Sequence, residues 1–201
     1  MKRLAMWTLI LACGTAGCVK ARAVHYYTLS IPPLAAQAYP QPIPVAIVVG
    51  RLNAPRLLRD DRVVYAMNDV ELGVDEYHRW AEPPTGIIER LLVDRLRGSG
   101  RYKAVQHLSS TTRGDYILRG HLAALNEVDD PSGIKARFTL QLELFDVKAG
   151  RVVWNDQYTN DEPVLQKTVT SVVQSLQKSV NAGLDQLTAS LAQYFAAHPV
   201  Q

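Results

Sequence analysis

Cysteine is almost absent from this chain. Of its 201 residues only Cys13 and Cys18 carry a thiol, and both lie close to the N-terminus. From residue 19 onward the sequence therefore excludes disulfide bonds and thiolate chemistry. Stability must come from an ordinary hydrophobic core, and the length of the chain predicts a single domain that is large enough to form one.

A strong excess of charge of one sign is also missing. Lys2 and Arg3 supply two of the 22 basic residues, so the rest of the chain carries 20 basic against 19 acidic residues. Proteins that hold nucleic acid through its phosphates usually have a clear basic excess. The composition therefore argues against nucleic acid as a partner.

The motifs of common catalytic sites are missing as well. No two histidines stand at helical i, i+4 spacing, and neither a Gly-x-Ser-x-Gly elbow nor a glycine-rich phosphate loop occurs. The acidic pairs Asp60-Asp61 and Asp129-Asp130 are typical of turns. The sequence thus predicts no metal site, no cofactor and no enzyme. A hydrolase site assembled from distant residues stays open, because such sites form in space and not in sequence.

The first 17 residues have the three parts of an export signal peptide. Lys2 and Arg3 form a positive start, an apolar stretch follows from Leu4 to Ala12, and small residues lead into Cys18. A membrane-spanning helix needs about 20 apolar residues, so this stretch is too short to be an anchor. An ordinary secretory signal with a chance cysteine is the alternative.

The residues from Thr15 to Cys18 resemble the lipobox of bacterial lipoproteins, whose cysteine receives diacylglycerol and becomes the new N-terminus. Cys13 matches more loosely and would shorten the apolar stretch, so Cys18 is the predicted lipidation site. Lipoproteins of this type stay in the inner membrane when Asp follows the cysteine, and Val19 instead indicates the outer membrane. Residues 18–25 would form a lipidated tether of at most roughly 29 Å to Tyr26, which keeps the domain of residues 26–198 close to the membrane on its periplasmic face.

Apolar patterns predict strands over most of this domain, and a helix after Pro83 and Pro84. The segment at 135–144 alternates most strictly and predicts one face open to water. Together these patterns predict an α+β fold, a single domain with an antiparallel-rich sheet, helices packed on one face and a long C-terminal helical segment. The predicted strands are 24–30, 44–50, 62–67, 70–77, 101–106, 115–127, 135–144 and 151–159.

The C-terminal segment from Val164 to Ala197 carries a helical apolar stripe along its whole length. Its 34 residues would extend about 51 Å as one straight helix, which is too long for most small domains. We expect the stretch Asn181-Ala182-Gly183 to kink or break the helix. Alternatively, its end projects and meets another copy, which would make the protein a homo-oligomer.

Tyrosine, tryptophan and arginine are concentrated between Tyr77 and Pro84, after an arginine-containing stretch at 54–59. This composition is typical of a protein-binding hot spot. Trp80 also has a structural interpretation, in which it fills the junction between a strand and the first helix while Glu82 lies near the positive helix N-terminus. The candidate partner-binding residues are Arg59, Tyr77, Arg79, Trp80 and Glu82.

The chain resembles the ABC-type transport auxiliary lipoprotein family, which includes the paraquat-inducible protein C lipoproteins. The residues that carry the resemblance are the lipobox, Tyr26 to Leu29, Pro55 to Arg59 with Val64-Tyr65, Tyr77 to Pro83 and the C-terminal helix. Pro84 stands where the family has Leu.

The resemblance implies a non-catalytic accessory of an envelope transporter. Such a system contains an ABC ATPase, a permease and a periplasmic MCE-domain protein, and it moves lipids between membranes. The alternative is a structural envelope lipoprotein, such as an activator of a cell-wall synthase or a pilotin-like assembly factor.

Overall fold

The computed structural model describes residues 22–30, 42–67, 70–109, 111–131 and 133–199. The signal segment, Cys13 and Cys18 lie outside these residues. A 3₁₀-helical turn at Arg56–Arg59 joins the second strand to the third. The other elements are β1 His25–Tyr27, β2 Ile43–Asn53, β3 Arg62–Met67, β4 Glu71–Trp80, α1 Pro84–Gly98, β5 Tyr102–His107, β6 Tyr116–Asp130, β7 Gly133–Asp146, β8 Arg151–Pro163 and α2 Val169–Ala197.

One mixed sheet contains all eight strands, and β6 is its central member. Along one edge β6 pairs antiparallel with β7 over its whole length, and β7 pairs antiparallel with β8. Along the other edge β6 pairs in parallel with β2 through its first half and with β3 through its second half. The sheet therefore has two branches on this edge, one extended by β5 and the other by β4 and then β1. The predicted α+β single domain is confirmed, and the parallel pairings of the two branches are additional to it.

Both helices pack on one face of the sheet, α1 against β2 and β5, and α2 against β7 and β8. The strict alternation of β7 has the predicted effect, because every second side chain of the strand is buried towards the helices. These buried residues are Ala136, Phe138, Leu140, Leu142 and Leu144. Helix α1 begins at Pro84, where a proline is tolerated because its missing N–H has no partner within the helix.

Helix α2 is continuous over 29 residues, so the break expected at Asn181-Ala182-Gly183 is wrong. The helix spans about 44 Å, and the strand β7 beneath it is about 46 Å long, so the sheet is long enough to cover the helix. Leu191 and Phe195 are buried near its C-terminal end. The end of the helix therefore does not project, so this alternative is also wrong as regards the helix end. A homo-oligomer formed through another surface stays a prediction.

Gly183 lies where α2 packs closely against side chains of the sheet. A Cβ atom at this position would come within 2.6 Å of Cδ1 of Tyr158 and 2.8 Å of Cε1 of Phe138. Such distances are well inside van der Waals contact, so only glycine fits here without a shift of the rings. The glycine that sequence patterns associate with a helix break instead allows the helix to pack closely.

Candidate partner-binding surface

The five candidate residues come together where β4 ends and α1 begins. The backbone N–H of Trp80 donates to the carbonyl oxygen of Asp61 at 2.5 Å. The backbone N–H of Ala81 donates to the carbonyl oxygen of Tyr27 at 2.7 Å. Arg59 is exposed and stands two residues before Asp61. The two stretches selected from the sequence therefore form one surface beside β1.

Trp80 lies beneath this surface and not on it. Its side chain is 1 % exposed and belongs to the hydrophobic core. Among the described residues, no acceptor lies within hydrogen-bonding distance of the indole N–H. The ring thus fills the junction between strand and helix, as the structural interpretation has it, and supports the exposed residues from below.

Ion pairs hold the polar side chains of the surface in place. Arg79 donates to Asp61 at 3.0 Å, and Arg90 donates to Glu82 at 2.9 Å. The hydrogen bond from Arg62 is the main reason that the pKa of Asp60 is lowered to about 2. Partly exposed pairs of this kind contribute about 0–1 kcal/mol each to stability, so their main effect here is to fix the positions of charges that a partner would meet.

An irregularity in β4 brings Tyr77 to the surface. The Oδ1 atom of Asp75 accepts hydrogen bonds from the backbone N–H groups of Tyr77 at 2.8 Å and His78 at 3.0 Å. Burial acts to raise the pKa of Asp75, but these bonds and the contact with the His78 ring outweigh it and lower the pKa. The Tyr77 ring then lies under the guanidinium group of Arg22, 4.4 Å from ring centre to Cζ. Tyr77 is therefore in contact with the segment that leads to the N-terminus.

A second exposed surface lies on the face of the sheet opposite the helices. It is a shallow depression of about 750 Å³ that crosses four strands. Its polar side chains bond to one another: Nε2 of Gln141 donates to Oε1 of Gln157 at 2.8 Å, and Arg119 pairs with Glu143. Sequence alternation predicts the β7 part of this face, but not the contributions of the neighbouring strands. The polar side chains lining the depression are Arg51, Asn53, Arg119, His121, Gln141, Glu143, Asn155, Asp156 and Gln157.

In the part of the chain that the structure describes, neither helix is long and apolar enough to cross a membrane. The same residues contain no group of three or more His, Cys, Asp or Glu side chains close enough to hold a metal ion.

The profile of the family described as the ABC-type transport auxiliary lipoprotein component matches residues 27–192. The chain belongs to this family. The matched region contains Arg59 and the stretch from Tyr77 to Glu82, so the candidate surface is part of the auxiliary lipoprotein domain. Cys18 and the tether precede it.

Two solved structures show the fold of this auxiliary lipoprotein. A crystal structure of a DUF330 family protein from Xanthomonas campestris has a TM-score of 0.74 and 20 % identity, covering 86 % of this chain and 97 % of that chain. The crystal structure of an uncharacterized protein has a TM-score of 0.65 and 16 % identity, covering 85 % of this chain and 99 % of that chain. A PelC dodecamer from Paraburkholderia phytofirmans is more distant, with a TM-score of 0.42 and 14 % identity over 73 % of this chain and 92 % of that chain. Comparison with curated protein sequences finds no match.

Proposed function

We propose that this auxiliary lipoprotein is a non-catalytic accessory of an intermembrane lipid transporter, held at the outer membrane by acylated Cys18. The observation that carries this function is the family match over residues 27–192, which covers nearly the whole folded domain. The ABC ATPase and permease of the system supply the energy and the passage through the inner membrane. This chain supplies position and contact area for the periplasmic MCE-domain protein.

The lipid anchor sets where the domain works. Each acyl methylene buried in the membrane contributes about 0.8 kcal/mol, and several chains together hold far better than one. Six residues separate Cys18 from His25, where β1 begins, and the seven Cα-to-Cα steps between the two reach at most roughly 25 Å. The domain is thereby kept close to the outer membrane, where the far end of a partner that bridges the periplasm would arrive.

The partner contact is formed by Arg59, Tyr77, Arg79 and Glu82, with Trp80 beneath them. Support comes from their arrangement: two salt bridges fix Arg79 and Glu82, and a buried ring holds the backbone between them. Side chains that are already held in place lose less conformational freedom when a partner binds. Tyrosine and arginine are also the residue types that most often dominate binding energy at such surfaces.

The lipid anchor is tested by mass spectrometry of the N-terminus and by cell fractionation. We expect a diacylated Cys18 and membrane association that Cys18→Ser abolishes. An unacylated N-terminus, or a Cys18→Ser chain that fractionates like the native one, contradicts the anchor.

The partner is tested by mild crosslinking in membranes, followed by recovery of the full-length lipoprotein, with the MCE gene deleted and then restored. Arg59→Glu is compared with Arg113→Glu, an identical charge change at another exposed position. We expect Arg59→Glu to reduce recovery of the MCE protein about tenfold, the effect of losing one hot-spot residue, and Arg113→Glu to leave it unchanged. No crosslink to the MCE protein in any chain would contradict the function, whereas equal loss in both variants would contradict only the choice of surface.

A further inference from the structure

Three chain connections meet at one end of the sheet. Met67 pairs with Glu71 at the β3–β4 turn and with Asp129 on β6. Asp129 pairs in turn with Ile134 at the β6–β7 turn, and the N–H of Val164, after β8, donates to the carbonyl oxygen of Ile134 at 3.0 Å. We call this end of the sheet, with its two hairpin turns and the start of the β8–α2 connection, the hairpin end.

Large apolar side chains stand out from the hairpin end. Val70 is 89 % exposed and Leu165 is 88 % exposed, the highest values among the large apolar side chains of the described residues. At the same end, Leu72 is 57 % exposed and Met67 is 39 % exposed. Single exposed apolar residues are common on soluble domains, but several from two separate connections at one end mark a contact surface.

The tether approaches the same end. Strand β1 is parallel to β4, so the chain enters β1 from the direction of the hairpin end. The contact of Arg22 with the Tyr77 ring places residues 22–24 beside β4.

The distances allow the lipidated residue to lie level with the hairpin end. Tyr26 of β1 and Arg62 of β3 both pair with Arg79 of β4, so the two residues lie at the same height along the sheet. From Arg62 to Met67 at the hairpin end, β3 advances five residues, or about 17 Å. The seven Cα-to-Cα steps from His25 back to Cys18 reach at most roughly 25 Å, so β1 can stay in the sheet while the acyl chains enter a membrane at this end.

We propose that the hairpin end inserts Val70, Leu72 and Leu165 into the surface of the membrane that holds the lipid on Cys18, an insertion that depends on the lipid anchor proposed above. The occupant of this apolar surface is zwitterionic phospholipid. Two exposed carboxylates, Glu71 and Asp129, outnumber the exposed ammonium group of Lys167 beside Leu165, so anionic headgroups would be repelled. The domain then stands on its hairpin end, with side chains buried at the boundary of headgroups and acyl chains.

The insertion is tested with the full-length, lipidated protein in vesicles of phosphatidylethanolamine and phosphatidylcholine. Once the signal is removed and Cys18 is acylated, no other thiol remains, so one introduced cysteine can carry an environment-sensitive fluorophore. Val70→Cys and Leu165→Cys probe the hairpin end. Val147→Cys is the matched control, because Val147 is 47 % exposed and follows β7 at the opposite end of the sheet.

Lipids with nitroxide groups on their acyl chains then report contact with the membrane. We expect the probes at positions 70 and 165 to lose most of their emission and the probe at position 147 to lose none, because β6 separates the two ends by about 50 Å. Leu72→Asp, added to the Leu165→Cys chain, is expected to restore much of the lost emission. Adding phosphatidylglycerol is expected to weaken the quenching, and a strengthening would overturn the assignment to zwitterionic lipid.

Flotation of the vesicles separates the insertion from the anchor. A chain that does not float with them contradicts the lipid anchor, and the insertion with it. A chain that floats while all three probes keep their emission leaves the anchor intact and overturns the insertion. Probes at positions 70 and 165 that are shielded from aqueous iodide, yet not quenched from the lipid, would place a second copy or another protein at the hairpin end and also overturn it.

Discussion

The helix-covered part of the sheet and the branch formed by β3, β4 and β1 are built in different ways. Under the helices, Phe138, Leu140 and Leu144 of β7 are fully buried. In the branch, the β4 side chains Glu76 and Arg79 are held by ion pairs at the surface, and Leu72 is 57 % exposed. The difference shows a division of labour: the helix-covered part forms the larger share of the core. The branch buries Val63, Val64 and Trp80 against that core and leaves other side chains exposed to carry contacts.

The largest difference is expected between Phe138→Ala and Leu72→Ala. Phe138 is fully buried under α2, so its truncation should lower the free energy of unfolding by about 3–5 kcal/mol. Leu72→Ala removes an exposed side chain and should change it by no more than about 0.5 kcal/mol. Urea unfolding of both variants measures the two values. A loss for Leu72→Ala close to that for Phe138→Ala would mean that Leu72 is packed into the core and is not free to carry contacts.

Ion pairs should follow the same division. Arg95 is 6 % exposed and donates to Oδ1 of Asp185 at 2.6 Å, linking α1 to α2. Asp185→Ala leaves this guanidinium short of an acceptor and should lower the free energy of unfolding by about 1–3 kcal/mol. Glu82→Ala removes the partly exposed pair with Arg90 and should lower it by at most about 1 kcal/mol. A greater loss for Glu82→Ala would contradict the comparison.

Close packing of α2 is tested by Gly183→Val against Ala182→Val. The valine at position 183 would overlap Phe138 and Tyr158 and should lower the free energy of unfolding by about 1–3 kcal/mol. Ala182 is exposed on the same helix turn, so its replacement should lower it only through helix propensity, by roughly 0.5 kcal/mol. Thermal unfolding followed by circular dichroism distinguishes them. Equal losses would show that the helix does not depend on this contact.

The smallest effect is expected at the boundary, where Glu127 of β6 lies between Tyr65 of β3 and Ala136 of β7. Burial, with additional repulsion from Asp129 and Asp75, raises the pKa of Glu127 above its ordinary 4.5. The folded state thus binds this proton more tightly than the unfolded state, and the associated stability is present below pH 4.5 and is lost as the pH rises through the raised pKa.

Glu127→Gln should therefore stabilise the protein near neutral pH and lose that advantage as the pH falls below the ordinary carboxyl value. The midpoints of urea unfolding, measured for the native chain and for Glu127→Gln across this pH range, show whether the stability difference has this sign. A gain in stability that is the same at every pH would mean that the substitution acts through packing and not through charge.

Local patterns predict the elements well, because strands and helices leave their period in the sequence. The alternation of β7 and the stripe that begins after Pro84 both correspond to elements of the structure. The pairing of β6 with both β2 and β3 could not be predicted, since it joins residues far apart in the chain. The close packing at Gly183 could not be predicted for the same reason. It depends on Tyr158 and Phe138, which lie opposite this glycine only in the folded chain.

The candidate surface shows the same limit. Composition selects the stretch from Tyr77 to Glu82, and the structure brings Arg59 beside it. Composition does not show which aromatic side chain faces water, and here Tyr77 is exposed while Trp80 is buried. The shallow depression on the face opposite the helices could not be predicted, because the residues that line it lie on four different strands.

The parallel pairing of β1 with β4 has a mechanical consequence. In the proposed arrangement, in which the N-terminus is attached to a membrane, a pull on that attachment runs along the axis of β1. The hydrogen bonds between His25–Tyr27 and His78–Trp80 then bear that load in shear, all together, whereas a perpendicular pull would unzip them one after another.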